Sequence, residues 1–182
     1  VGDPVPLRTP RLFLTAPTPA DADAIYEACQ DPLIQRFTTV PAPYTREDAA
    51  VFVGSVVDGW ESGAELVWAV RSEGALAGMV GLHRVANGAA ELGYWASPAA
   101  RGAGLITEAA RAVVEFAFGP MRLRRLEWHA VVGNDASARV AQKLGFQFEG
   151  VRRQALHGDP PFDGWIAGLL ATDPRTPTRW DA

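Results

Sequence analysis

Cysteine is almost missing: Cys29 is the only one in 182 residues, which excludes an internal disulfide framework and suits a reducing compartment. It falls in a helical-looking run from Asp21 to Gln30, where a buried packing thiol is expected rather than a nucleophile. Positive charge is also in deficit. Lys and Arg total 17 against 21 Asp and Glu, a formal net charge of -4, which argues against a general nucleic-acid binder while leaving room for a small basic pocket. No apolar run reaches the ~18 residues of a membrane span, and no signal-peptide pattern opens the chain. A cytoplasmic protein without a membrane span is therefore expected, with Val1 in place of Met leaving room for a trimmed start. The three histidines, His83, His129 and His157, do not cluster with the cysteine, so no metal site is expected.

What is present is enough apolar residue, 48%, to build a sizeable core. Val1 to Pro10 holds three prolines and reads as a loose leading arm. A short strand follows at Leu12 to Ala16. Thr18 before Pro19 marks a helix start, and that helix runs to about Cys29 and ends before Pro32. Phe37 to Tyr44 reads as an exposed loop. Thr45, with Glu47 and Asp48 behind it, starts a helix through about Trp60. Leu66 to Val70, Leu76 to Leu82 and Glu91 to Trp95 read as strands joined by turns at Glu73-Gly74 and Asn87-Gly88.

From Ser97 the pattern becomes loop, helix, strand, helix and strand. Leu105, Ala109, Ala112, Val113 and Phe116 fall at helical spacing. Leu123 to Val132 is a strand and Asn134 to Leu144 a helix, stopped by Gly145 with Phe146 folding back. Phe146 to Val151 and Trp165 to Leu170 close the sheet, and Asp173 to Ala182 reads as a loose tail. With no repeat or linker, residues 1–182 are expected to form one mixed α/β domain of about seven strands and about four helices.

Two segments carry chemistry. In Arg101-Gly102-Ala103-Gly104 a small-residue loop opens a helix at Leu105. Unpaired N–H groups at such a start attract anions, and glycine lets a phosphate approach the main chain. The loop equally suits a plain tight turn. It is neither the dinucleotide fingerprint nor a P-loop, since no third glycine and no Gly-Lys-Ser/Thr follow. In the helix after Asn134, Ser137 heads the inward stripe Val140, Ala141 and Leu144. A polar group there needs a partner, and Asn134 capping the helix with Ser137 bonding locally is the plain alternative. Trp60, Trp68, Trp95 and Trp128 are expected as core or cleft walls, and Arg122, Arg124 and Arg125 as a solvated turn.

Taken in order, Glu91-Leu92-Gly93-Tyr94-Trp95, Arg101-Gly102-Ala103-Gly104 with Thr107-Glu108-Ala109, and Asn134-x-x-Ser137 running into Lys143-Leu144-Gly145-Phe146-x-x-Glu149-Gly150 resemble the GCN5-related N-acetyltransferase (GNAT) superfamily. Leu7-Arg8-Thr9-Pro10-Arg11-Leu12 and the last strand fit its RimJ/RimL-like branch. The resemblance implies a GNAT-like mixed sheet splayed as a V, with the pantetheine arm of acetyl-CoA in the opening and no metal. It implies that Arg101, Gly102, Ala103, Gly104, Leu105 and Ile106 hold the pyrophosphate. Trp95 and Ala96 would pair with the pantetheine, joined by Asn134, and Ser137 would lie near the thioester sulfur. Ala99 stands where the superfamily often has Gln or Arg, and Ile106 is bulkier than usual.

The implied reaction is direct attack of an amine on the thioester, with the enzyme mainly positioning the partners. A main-chain N–H near Trp95 would hold the oxyanion and Ser137 would supply a proton to the leaving thiolate. Glu91 is the first candidate for the base and Asp163 the second. The expected acceptor is the N-terminal α-amine of a protein or peptide. A small-molecule amine, succinyl-CoA as donor, and a non-catalytic coenzyme A-binding module are the alternatives, and a homodimer is left open.

Overall fold

Local signals in the chain set its elements, and the computed structural model describes residues 2–180. In order these are β1 (Leu7–Arg8), β2 (Phe13–Thr15), α1 (Ala22–Ala28), α2 (Pro32–Phe37), α3 (Arg46–Ser62), β3 (Leu66–Ser72), β4 (Ala75–Ala86), β5 (Ala89–Ala96), α4 (Leu105–Phe118), β6 (Arg125–Val131), α5 (Asp135–Leu144), β7 (Gln147–Leu156) and β8 (Phe162–Leu170). Thr45 and Asp48 form a reciprocal capping box at the start of α3, which satisfies N–H groups a helix start otherwise leaves open. Asn134 caps α5 through its side chain.

The eight strands form one sheet in the order β1-β2-β3-β4-β5-β6-β8-β7. Only the β5–β6 pair is parallel, because the segment between those strands contains α4, a crossover long enough to return the chain. That pairing covers just Ala89↔Arg125, Ala90↔Leu126 and Glu91↔Glu127. Beyond Glu91 the two strands part, and this is the expected splay.

Helices α4 and α5 cover one face of the sheet. Phe116 of α4 meets Trp68 edge-on at 5.6 Å, and Trp128 reaches α5 through Ser137. Trp60, Trp68 and Trp128 are buried in the core, as expected, while Trp95 remains partly open. Cys29 is buried too, and burial pushes its thiol up to about 11, which makes it inert packing.

The structure refines the expected element counts and ties down much of both ends that were expected to be loose. Among the described residues the sheet has eight strands, close to the expected number of about seven, and part of the leading arm pairs as β1. That arm is tied down: the Trp68 indole donates to the Val5 carbonyl at 2.7 Å, and Thr9 and Arg11 both donate to Glu108. Among the described residues there are five α-helices, close to the expected number of about four. Pro32 starts α2 instead of only ending α1, because it needs no N–H partner in the first turn and Asp31 accepts from the N–H groups of Leu33 and Ile34. The tail is also fixed through Trp180. Thr178 and the Trp180 indole both donate to the Phe146 carbonyl, and the Trp180 ring packs on Trp128 and Phe148. Val1, Asp181 and Ala182, the outermost parts of the ends expected to be loose, lie outside the described residues.

Candidate active site

Where β5 and β6 part, they leave a cleft of about 430 Å³. It brings together Trp95, Ala96, Arg101, Gly102, Gly104, Leu105, Ile106, Asn134 and Ser137, from segments separated by up to 42 positions of sequence (95 to 137). Past Glu91 the side of β5 that faces β6 has no strand partner, so an extended ligand finds unpaired main chain there, as an added strand would.

The loop floor is built for close approach. Gly102 and Gly104 have φ of +80° and +74°, a region side chains other than Gly, Asn and Asp seldom enter. A Cβ at Gly102 would meet nothing within 4 Å, and one at Gly104 only Arg11 Nη2 at 3.8 Å. Apart from that Arg11 contact, the space beside both glycines is open among the described residues, so this start of α4 fits an anion such as a pyrophosphate.

Some expected residues behave differently. Ala103 does not line the cleft; its carbonyl accepts from Arg11 Nη1 at 3.1 Å. Arg101 lines it, but the guanidinium is held by Asp31 at 2.7 and 3.2 Å, and this contact with Arg101 leads the causes that keep the Asp31 carboxyl below its usual range. Sequence reasoning missed the cations that are better placed. Arg139 and Lys143, one turn apart on α5, both line the cleft. Their i, i+4 spacing beside the Asn134 cap was the available signal.

Ser137 is more constrained than a local cap. Its N–H donates to Asn134 Oδ1 at 3.3 Å, its carbonyl accepts from the Tyr94 hydroxyl at 2.8 Å, and its Oγ accepts from the Trp128 indole at 3.0 Å. Burial keeps Tyr94 protonated by pushing its phenol up. No acceptor for the Ser137 hydroxyl hydrogen is found among the described residues, so it is free for a group in the cleft.

Glu91 does not line the cleft. It stands at the vertex of the V, in register with Glu127 and His83, ion-paired with Arg84 and 3.4 Å from His129 Nδ1. Asp163 is farther from use: its carboxylate accepts from the Gln154 N–H at 2.7 Å and fixes a bulge between β7 and β8. The basic run is a solvated turn only in part: Arg124 donates to the Asn87 carbonyl from the turn, whereas Arg125 already belongs to β6 and is clamped by Glu149 and Glu127. Among the described residues no group of side chains is arranged to hold a metal ion, and no helix is long and apolar enough to cross a membrane.

The splayed mixed sheet, the glycine-started helix and the free hydroxyl thus meet in one opening. The sequence model of the acetyltransferase (GNAT) domain matches residues 11–147, and the chain belongs to that family. The uncharacterized N-acetyltransferase YoaA of Bacillus subtilis (strain 168) is 29% identical over 169 residues, 90% of this chain and 96% of that protein. The ribosomal-protein-serine acetyltransferase of Escherichia coli (strain K12) is 30% identical over 105 residues, 57% of this chain and 59% of that one. Several curated relatives align over only about half of their own length, 48% in two cases. Among solved structures, RimL, a ribosomal L7/L12 alpha-N-protein acetyltransferase in complex with coenzyme A, superposes with a TM-score of 0.82 at 21% identity, covering 89% of this chain and 95% of that one. The microcin C7 self-immunity acetyltransferase MccE, in complex with acetyl-CoA and AMP, gives 0.81 at 21% identity, covering 89% and 93%.

Proposed function

We propose that this protein transfers the acetyl group of acetyl-CoA to the N-terminal α-amine of a protein or peptide. The observation that carries the reading is the cleft itself, where the open Gly102–Gly104 floor and the free Ser137 hydroxyl line one continuous space. Family membership supports acyl transfer, and the neighbours solved with coenzyme A and acetyl-CoA support the donor. The ribosomal-protein relatives support a protein acceptor.

In this reading the start of α4 holds the pyrophosphate through its N–H groups, with Arg139 and Lys143 adding charge from α5. The unpaired edge of β5 at Trp95 and Ala96 runs beside the pantetheine. Positioning supplies most of the acceleration, a main-chain N–H near Trp95 stabilises the oxyanion, and Ser137 gives its hydroxyl proton to the departing sulfur. The proton lost by the amine goes to a base on the sheet face away from α4 and α5, where Glu91 and His83 stand side by side. The protein works in the cytoplasm, where its lone buried thiol stays reduced.

Mass spectrometry of a peptide and amine library, incubated with acetyl-CoA and separately with succinyl-CoA, tests this. Acetylated peptide N-termini are expected. Modification of small amines alone moves the acceptor, turnover with succinyl-CoA alone moves the donor, and binding without turnover makes the protein a coenzyme A-binding module.

A further inference from the structure

We propose that His83, held by Glu65, is the general base that takes the proton from the acceptor amine. The proposal rests on the acyl-transfer reading above and names the group that reading leaves open.

His83 pairs in register with Glu91 at the vertex of the V. On the same face of the sheet the next pair toward the cleft is Gly81↔Gly93, two rungs on, and the pair two rungs beyond that is Met79↔Trp95, with Trp95 a cleft wall. The imidazole lies over both glycines: a Cβ on Gly81 would sit 2.7 Å from His83 Nε2, and one on Gly93 3.0 Å from it. Neither glycine has a positive φ, so the backbone does not require glycine at either position. What the missing side chains provide is room for the ring to lie along β5 toward the cleft.

The other end of the ring is fixed. Nδ1 lies 2.5 Å from Glu65 Oε2, and the second oxygen of Glu65 accepts from the Arg84 N–H at 2.9 Å. That N–H is free because Arg84 sits at a break in the β4–β5 register with φ of +51°. A carboxylate accepting from Nδ1–H leaves the lone pair on Nε2, the nitrogen directed over the glycines. The His83 side chain is 38% exposed and, like Glu91, it stands at the vertex beside the residues that line the cleft rather than among them.

The charged neighbours argue against the alternatives. Glu91 is occupied by Arg84. His129 lies between Glu91 and Glu127 with its side chain only 7% exposed, and burial leads the causes that hold its imidazole below the usual range. Glu65 thus contacts His83 directly, and Glu91, beside it in register, is the group that Arg84 and His129 approach.

The protons balance as follows. The acceptor arrives as an ammonium and His83 Nε2 takes one proton, freeing the lone pair that bonds to the thioester carbon. As the C–S bond breaks, the nitrogen sheds a second proton, which makes good the one Ser137 passes to sulfur. The amide and free thiol leave, and His83 releases its proton to solvent.

The test is kcat at saturating peptide from pH 6 to 9 for wild type, His83→Gln, Glu65→Gln and Glu91→Gln, with the acetyl-CoA Kd measured on each. His83→Gln should lower kcat about 100-fold at pH 7, abolish its rise from pH 6 to 8, and leave Kd unchanged. Glu65→Gln, which releases the ring, should lower kcat with Kd unchanged, and Glu91→Gln should retain the rise. If His83→Gln does not fold, Gly93→Ala, which crowds the ring from the facing strand, carries the same expectation. A rise that survives in His83→Gln or vanishes in Glu91→Gln overturns the assignment. Wild type that binds acetyl-CoA and acylates no acceptor overturns the acyl-transfer reading instead, and this assignment with it.

Discussion

The indole Nε1 of Trp128 donates to Ser137 Oγ at 3.0 Å. Trp128 is on β6 and fully enclosed, while Ser137 opens α5 at the edge of the cleft. A hydroxyl that already accepts from an indole has its own hydrogen left to donate. The pair therefore fixes where Oγ sits and leaves its proton for the cleft.

Ser137→Ala is expected to lower kcat about 10- to 100-fold, taking the lost hydrogen bond to a charged sulfur as ~1.5–3 kcal/mol. Acetyl-CoA affinity should change little, because the bond matters most when the sulfur becomes negative. Trp128→Phe keeps most of the packing and removes the donor, so a smaller fall in kcat with unchanged Kd is expected. Steady-state kinetics with calorimetry separate these outcomes from simple destabilisation, which would lower the melting temperature and leave kcat per folded molecule unchanged.

At the phosphate end, Gly104→Ala should weaken coenzyme A binding by about tenfold. The φ of +74° at this position strains any side chain by roughly 1 kcal/mol, and the added methyl occupies the approach to the main chain. Calorimetry on the folded variant measures it. Unchanged affinity would make the loop a turn and nothing more.

Acceptor choice follows from proton chemistry. An α-amine with pKa near ~7.7–8.0 has roughly a tenth of its population neutral at pH 7, against about one in a few thousand for lysine near ~10.4. Two peptides of identical sequence, one with its N-terminus blocked and one with its lysine blocked, decide the matter between pH 6 and 9. The peptide with a free N-terminus should react faster throughout, with the difference narrowing as pH rises. Faster reaction at lysine would sink the α-amine reading.

Stability should depend on pH through Asp21. Arg71 grips its carboxylate at 2.7 and 2.6 Å. Burial pushes the carboxyl up, but the Thr18 N–H, Arg71 and the Thr18 hydroxyl together hold it below its usual range. A folded-state pKa below the unfolded one gives stability that is complete above about pH 4 and is lost as pH falls through the folded value. Asp21→Asn is thus expected to cost about 2 kcal/mol at pH 7, with the gap from wild type narrowing as pH is taken below about 4. Urea unfolding above and below that pH reads it directly, and an equal gap at both would remove Asp21 as the titrating group.

The sequence by itself determined the features that need only near neighbours. Thr45 with Asp48 and Asn134 with Ser137 lie three positions apart, and their caps were legible because a helix start is closed within one turn. The Asn87-Gly88 turn and the Gly102–Gly104 loop were legible for the same reason, as was the order of motifs that placed the cleft residues. The tertiary structure alone decided which of them work together. Arg101 is claimed by Asp31 across 70 positions, His83 is held by Glu65 across 18, and the strands part after Glu91↔Glu127. Ion pairs, strand register and ring stacking depend on distance in space, and β6 and α5 reach β5 only after α4 has carried the chain across the sheet.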